Sequence, residues 1–535
     1  MNRILKEALL LFESYRQGDR HLADNWLTST LLPLDRPEYS KQTEALLTDL
    51  LWRSPGSSLF IKDTEKSYLD EYLADRETFD GESLKRIVFE RIGKKTQKVV
   101  ESLPLARGTD LSGVVGGEGV AACLDTLLDS LKAPRSRSYR SISAVPLHPD
   151  LIVLQTLPGI VNKKSPPNVA GIIEHVGRLG GSDGIGAVAH RFLQAFSSAP
   201  AVQAGLSGFS SEAFARIAAQ VWTRIDAKGP AGGTPWPAWP GVRAQDYDRE
   251  GPVLPISTLR MTPFRWFWTK WETLCAPDKG WTAYLPQRRW LDWALTLLRT
   301  GLAFVYLWEA ELMVRIRERI VERQAGMGAG SARERLIGFL GGQFTLVSVQ
   351  PRRVPPSQKR VWSALASGIA KGHAFRKQLS ECEWLDNAPP EFGAGDLCTS
   401  INNWIDGLNA DQLTELSAPL SISSSTATNT KEFIKYLMLP RSADDDSSDQ
   451  ADLYFISRSQ RSDFWIDLGP EWLVVETAML AAKPGGKCTL RQLLDDLAFL
   501  GIAIDRPTVV ALLESTGLSA DSPDADDALV IESGF

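Results

Sequence analysis

Charge in this chain is sorted by position, and the sorting limits how its parts can be arranged in a fold. Residues 1–258 carry 30 Lys and Arg against 30 Asp and Glu, residues 259–377 carry 20 against 8, and residues 378–535 carry 9 against 27. The formal net charge of −6 therefore hides a +12 middle and a −18 tail. A polypeptide divided in this way can fold its tail onto its middle, or hold the middle open for an external polyanion.

At 535 residues the chain exceeds what one hydrophobic core supports, since cores stop growing near about 250 to 300 residues, so three or four domains are expected. With 43% hydrophobic and 23% charged residues, the composition is that of a folding chain and excludes a disordered class. Five cysteines, Cys123, Cys275, Cys382, Cys398 and Cys488, are scattered without Cys-x-x-Cys spacing or a nearby His. That usage points to a reduced, cytoplasmic chain without structural zinc, and it implies no cofactor. Met1 to Gln17 has an amphipathic helix pattern without a cleavage site, so no export signal is expected. Leu291 to Val314 is the most apolar stretch, but Asp292, Arg299, Glu309 and Glu311 interrupt it. A membrane span would not carry them.

The apolar spacing predicts a mainly α, multi-domain helical protein. From Leu5 to Leu131, apolar residues recur at three and four, as in a helical bundle, with Asp80–Leu105 one clear member. Residues 107–119 and 133–143 read as loops, the second basic, with Arg135, Arg137 and Arg140 around Tyr139. Leu151–Leu157 is a strand candidate, and helices are expected over Val169–Phe196 and Glu212–Ile225. The run KGPAGGTPWPAWP at Lys228–Pro240 stops any regular element. Within it, PWPAWP at Pro235–Pro240 is read as a rigid linker, or as a docking peptide for a partner.

The expected division is therefore an N-terminal helical domain over 1–226, a Pro/Gly/Trp-rich linker over 227–258 and a basic, Trp-rich helical domain over 259–416. A low-complexity linker region over 417–450, with a short helix at Phe433–Leu437, and an acidic domain over 451–535 follow.

The last 70 residues carry the sharpest local signals. Leu468–Lys483 reads as one helix, Thr489 caps a second, and Asp505, Pro507 and Gly517 bound a third. An Asp-rich loop and a strand at Ala528–Ile531 complete the order. That order resembles the winged helix-turn-helix fold. The resemblance implies a third helix that reads the major groove, yet between Asp505 and Gly517 the only basic residue is Arg506, and the wing carries Asp521, Asp524, Asp526 and Asp527. Phosphates would be repelled, so this module is expected to dock protein.

Four groups supply the positive charge of the middle: Arg288 and Arg289; the helical column Arg315, Arg319 and Arg323 with Arg317; the loop Arg352, Arg353, Lys359 and Arg360; and Lys371, Arg376 and Lys377. Together with Arg135, Arg137 and Arg140 they are the candidate nucleic-acid contacts, DNA first. Arg315, Arg319 and Arg323 are expected on one outer face of a helix at Leu302–Gln324, although Glu311, Glu318 and Glu322 stand at pairing distance along it. The loop QPRRVPPSQKR at Gln350–Arg360 has no acidic residue, and its prolines favour an extended backbone suited to a phosphate chain. The same loop could hold the acidic tail. Trp266, Trp268, Trp271, Trp290 and Trp293 could stack on bases, but their helical spacing is that of core residues.

Catalytic signals are weak. Gly180–Gly184 satisfies G-x-S-x-G around Ser182, with His190 and His373 downstream, but the preceding residues look helical where a nucleophile elbow needs a strand. Gly184, Gly186 and Ala189 approximate a dinucleotide fingerprint without its strand. Gly485, Gly486 and Lys487 lack the first glycine of a Walker A motif, and His21, His148 and His175 stand alone. No metal-ligand cluster appears. The expected function is a non-catalytic subunit of a bacterial DNA-processing or antiphage defence assembly, gripping phosphate with its middle and docking protein through its tail. The alternatives are a protein-only scaffold, in which the basic and acidic parts meet each other or neighbouring copies, and a serine hydrolase built on Ser182.

Overall fold

The computed structural model describes residues 169–182, 187–198, 261–326, 330–350, 361–387, 397–440, 456–460, 463–518 and 529–532, together with positions 34, 37, 46, 47, 50, 259, 454 and 534. The predicted helices at 80–105 and 212–225, the strand at 151–157, the loops at 107–119 and 133–143 and the linker at 228–240 lie outside the described residues. About 70% of what is described is helical. The mainly α reading stands. Among the described residues no helix is long and apolar enough to cross a membrane.

Helices α1 (Val169–Leu179) and α2 (Ala187–Ser198) occupy the stretch at 169–196 where helices are expected. They separate because Gly181 takes φ +103, while Gly180 approaches so closely that a Cβ there would lie 2.3 Å from the Phe264 carbonyl oxygen. That oxygen belongs to α3 (Pro263–Cys275), which Thr262 caps by accepting from the Arg265 amide at 3.2 Å and which Pro263 opens. Helix α3 buries Phe264, Trp266, Phe267, Trp268, Trp271 and Leu274, so it has almost no solvent face.

After the short α4 (Trp281–Tyr284) comes α5 (Gln287–Gln324), a 38-residue helix about 57 Å long at 1.5 Å per residue. It starts well before the predicted Leu302, because nearly every residue from Trp290 to Trp308 is buried, Arg299 and Thr300 among them, which hides the period a surface helix would show. Phe192 stacks on Trp290 at 5.0 Å and on Trp271 at 5.4 Å, so the tryptophans of the middle are core.

Helices α6 (Ser331–Leu340), α7 (Trp362–Ser380), α8 (Glu383–Asn387), α9 (Leu397–Gly407), α10 (Ala410–Ser417) and α11 (Thr428–Met438) follow. Of these α6, α7, α9, α10 and α11 pack around α5. The expected short helix at 433–437 is α11, and it turns Phe433, Ile434, Leu437 and Met438 inward.

Between α6 and α7 lies strand β1 (Val347–Ser348). Beyond α11 come β2 (Ser457–Gln460), β3 (Asp463–Ile466), α12 (Pro470–Ala481), β4 (Lys487–Thr489), α13 (Leu490–Phe499), β5 (Ile502–Ala503), α14 (Arg506–Thr516) and β6 (Val530–Glu532). The caps fall where the residues placed them: Thr489 and Gln492 form a reciprocal capping box, Asp505 accepts from the Thr508 amide at 2.7 Å, and Gly517 closes α14 at φ +71.

Among the described residues, three two-stranded ladders result. β2 and β3 pair antiparallel with Ser457 opposite Ile466, β4 and β6 antiparallel with Cys488 opposite Ile531, and β1 and β5 parallel with Val347 opposite Ile502. The last ladder stitches the middle of the chain to its tail. Buried apolar side chains from Val169 to Ile531 form one connected core through both.

Candidate functional site

Five of the candidate cations on helices, Arg288, Arg289, Arg315, Arg319 and Arg376, pair with carboxylates of their own chain. Arg288 donates to Asp292 one turn on, and Arg289 reaches Glu471 at the start of α12 at 2.7 Å. Arg315 sits between Glu311 and Glu318, each within ion-pair distance. Arg319 is expected on an outer face and is instead buried, with 5% of its side chain exposed; it donates to Asp406 of α9 at 2.7 Å and has Glu322 beside it at 3.8 Å. The reason is crowding, since α9 and α10 pack on the C-terminal half of α5 and cover that face. Arg323 keeps its Nη1 buried without a hydrogen-bond partner. Arg376 bridges Glu309 of α5 and the Leu34 carbonyl. Lys377 pairs loosely with Glu381 at the surface, and Lys371 is exposed on α7. Arg352, Arg353, Lys359 and Arg360, and likewise Arg135, Arg137 and Arg140, lie outside the described residues.

Two further arginines of α5 act as helix caps. Arg299 donates to the carbonyls of Leu437 and Leu439 at the end of α11, and its guanidinium lies 3.9 Å over the Tyr454 ring. Arg317 donates to the Ser417 and Ala418 carbonyls at the end of α10. A cation at a helix C-terminus satisfies orphan carbonyls and meets the negative end of the helix dipole. Burial lowers the Arg317 pKa from its ordinary value.

The catalytic and cofactor candidates meet different geometry from the one they need. Ser182 follows α1, a helix, and its amide donates to the Gly177 carbonyl at 3.0 Å in a helix-closing turn. His190 is exposed on α2, and His373 is half-buried on α7. At the start of α2, where a fingerprint would hold a pyrophosphate, Glu174 accepts from the Val188 and Ala189 amides at 3.2 and 2.7 Å. A protein carboxylate already occupies that place. Gly486 sits in the α12 to β4 turn, tight against the Ala481 carbonyl, and Lys487 pairs with Glu532 at 2.7 Å. Among the described residues, no group of three or more His, Cys, Asp or Glu is placed to hold a metal ion.

One constellation was not foreseen. Lys270 of α3 is 3% exposed, and its ammonium lies 3.0 Å from Glu476 of α12 and 2.7 Å from Asp496 of α13. The Trp266 indole N–H donates to Asp496 at 3.0 Å, and Cys488 of β4 is buried beside them. Burial and the Asp496 charge hold the Glu476 carboxyl well above its usual range, with Lys270 only partly offsetting them. Burial alone would lower Lys270, but the two carboxylates outweigh it and raise its pKa above the ordinary value. Burial also pushes the Cys488 thiol up to about 12. With Glu476 protonated, one ammonium faces one carboxylate and the cluster is neutral. The signal in the sequence was a single charge inside each of two apolar runs, Lys270 in WFWTKW and Glu476 in WLVVETAML.

Comparison of the chain with protein-family models, with curated proteins and with solved structures finds no match.

Proposed function

We propose that this chain is a non-catalytic helical scaffold subunit, which spends its opposite charges on its own tertiary assembly and docks neighbouring proteins through the acidic terminal unit. The internal neutralisation of the α5 and α7 cations carries this reading: Arg289, Arg315, Arg319 and Arg376 all face carboxylates of their own chain. The terminal unit, α12 to β6, is taken as a winged-helix-like module. Its third helix supports docking of protein rather than DNA, because the exposed residues of α14 include Arg506, Ala511, Glu514 and Ser515, a set with one cation.

A second reading, contact with DNA, draws support from one stretch. Gln350–Arg360 places Arg352, Arg353, Lys359 and Arg360 between β1 and α7 with no carboxylate among them. Under this reading the helical arginines are structural, and phosphate contact belongs to that segment alone.

Anisotropy titrations of labelled single- and double-stranded DNA with the full chain separate the two. The scaffold reading expects weak binding that reversal of Arg352, Arg353, Lys359 and Arg360 to Glu leaves unchanged. Tight binding that falls by about 10³ or more between 50 and 200 mM salt, and disappears in the reversed variant, would replace it with the second reading.

A further inference from the structure

The cluster of Lys270, Glu476 and Asp496 holds together two parts of the chain that are about 200 residues apart in sequence, beside the apolar core and the buried Trp472–Thr300 hydrogen bond that also join them. β1 and β5 share only two residue pairs. Arg289 and Glu471 meet where the Arg289 side chain is half exposed, so solvent screens that pair. The buried cluster is different, because separating α3 from α12 and α13 would return an ammonium and two carboxyl groups to water.

We propose that Lys270, Glu476 and Asp496 form a proton-dependent latch, which holds the C-terminal unit against α3 and loosens that contact as pH rises. This goes beyond the scaffold reading and does not depend on it.

Two carboxyl groups share one ammonium, and the Trp266 indole N–H lies within donating distance of both. Both carboxyls cannot ionise there without leaving a net negative charge away from water. Among the described residues, the elements packed against Glu476 offer few groups that could absorb the charge. Helix α3 offers Lys270 and Trp266, α13 offers Asp496, and β4 offers the Cys488 thiol, which burial keeps protonated. Helix α14 turns in only Val509, Leu512 and Leu513. β6 turns in Ile531, and its Glu532 is exposed on Lys487. From α5, Thr300 meets Trp472 rather than Glu476.

In the docked state Glu476 keeps a proton that it gives up once in water. Its raised pKa therefore stabilises docking fully below the ordinary carboxylate range, and this contribution is lost as pH climbs toward the docked value. Lys270 works in the same direction at higher pH. Its contribution is complete below 10.5 and is lost as pH rises through its raised value.

Hydrogen exchange of the full chain, followed by mass spectrometry from about pH 5.5 to about pH 8.5 and corrected for intrinsic exchange chemistry, tests the latch. One proton released per opening makes the opening constant of α3 and of β4 to α13 climb by up to about tenfold per pH unit, flattening once docked Glu476 ionises. Glu476→Gln keeps the shape and the hydrogen bonds but has no proton to lose, so its opening constant should stay flat across the range. Asp496→Asn leaves one carboxylate facing Lys270 and should flatten it as well, which covers the case in which the first variant does not fold. A flat profile in the natural chain, or an undiminished slope in the variants, overturns the proposal.

Discussion

Trp472 donates its indole N–H to Thr300 Oγ1 at 3.0 Å, joining the first helix of the terminal unit to the middle of α5. Thr300 donates its own proton to the Thr296 carbonyl at 2.9 Å, one turn back, which leaves its oxygen free to accept from the indole. Both side chains are fully buried. The junction between middle and tail is therefore packed and hydrogen-bonded at its centre, with the Lys270 cluster as a second anchor.

Thr300→Val preserves volume but leaves the Trp472 N–H buried without its acceptor. The expected cost is about 1 to 3 kcal/mol. Urea unfolding of the variant measures it, and a stability equal to that of the natural chain would mean that the indole has another acceptor. Trp472→Phe in the same background should add less than it does alone, because the two changes remove one shared bond.

Arg299 and Arg315 lie on the same helix, and their substitutions should differ severalfold. Arg299 caps α11 and covers Tyr454 from inside the fold, so Arg299→Met should cost about 2 to 4 kcal/mol through lost cap, lost stacking and stranded carbonyls. Arg315 is more than a quarter exposed and its partners are neighbours along its own helix. Arg315→Ala should cost about 0.5 kcal/mol. Equal losses in chemical denaturation would show that the cations of α5 are not divided between glue and surface as described.

What the amino-acid pattern disclosed follows from how local each signal is. The terminal helices were readable because Thr489, Asp505 and Gly517 act within four residues of themselves, and capping chemistry does not depend on the rest of the molecule. The mainly α character was readable for the same reason. The fate of the charges was not, because it depends on tertiary neighbours. Arg319 looks like a surface residue until Asp406, 87 positions away, is placed against it. The hairpin β2 to β3 was missed since its strands have four residues each and sit beside a polar, low-complexity stretch. Lys270 and Glu476 could have been flagged as charges inside apolar runs, yet only the fold shows that they meet.

Glu174 offers a check on the start of α2. Its carboxylate takes the place of a capping side chain by accepting two amide protons from the first turn, although it comes from another helix. Glu174→Ala should destabilise the chain by about 1 to 2 kcal/mol, as loss of an N-cap does, with exchange protection lost first across Ala187–Ser198. Protection lost uniformly over the molecule would place the effect elsewhere.

Helix α7 carries two glycines for which the same substitution should have opposite signs. At Gly368 an added Cβ meets nothing within 4 Å, so Gly368→Ala should stabilise by about 0.5 to 1 kcal/mol through the reduced freedom of the unfolded chain. At Gly372, one turn later, a Cβ would lie 2.5 Å from the Ala310 carbonyl oxygen and 2.7 Å from its Cα. Those are backbone atoms of α5 and cannot rotate away. Accommodating the methyl group requires α7 to shift off α5, which loosens Arg376 from Glu309 in the next turn. Gly372→Ala should therefore destabilise by about 2 to 3 kcal/mol despite its better helix propensity. Thermal melting of the two variants side by side reads the signs directly, and a stabilised Gly372→Ala chain would mean that the two helices pack less closely than the structure has them.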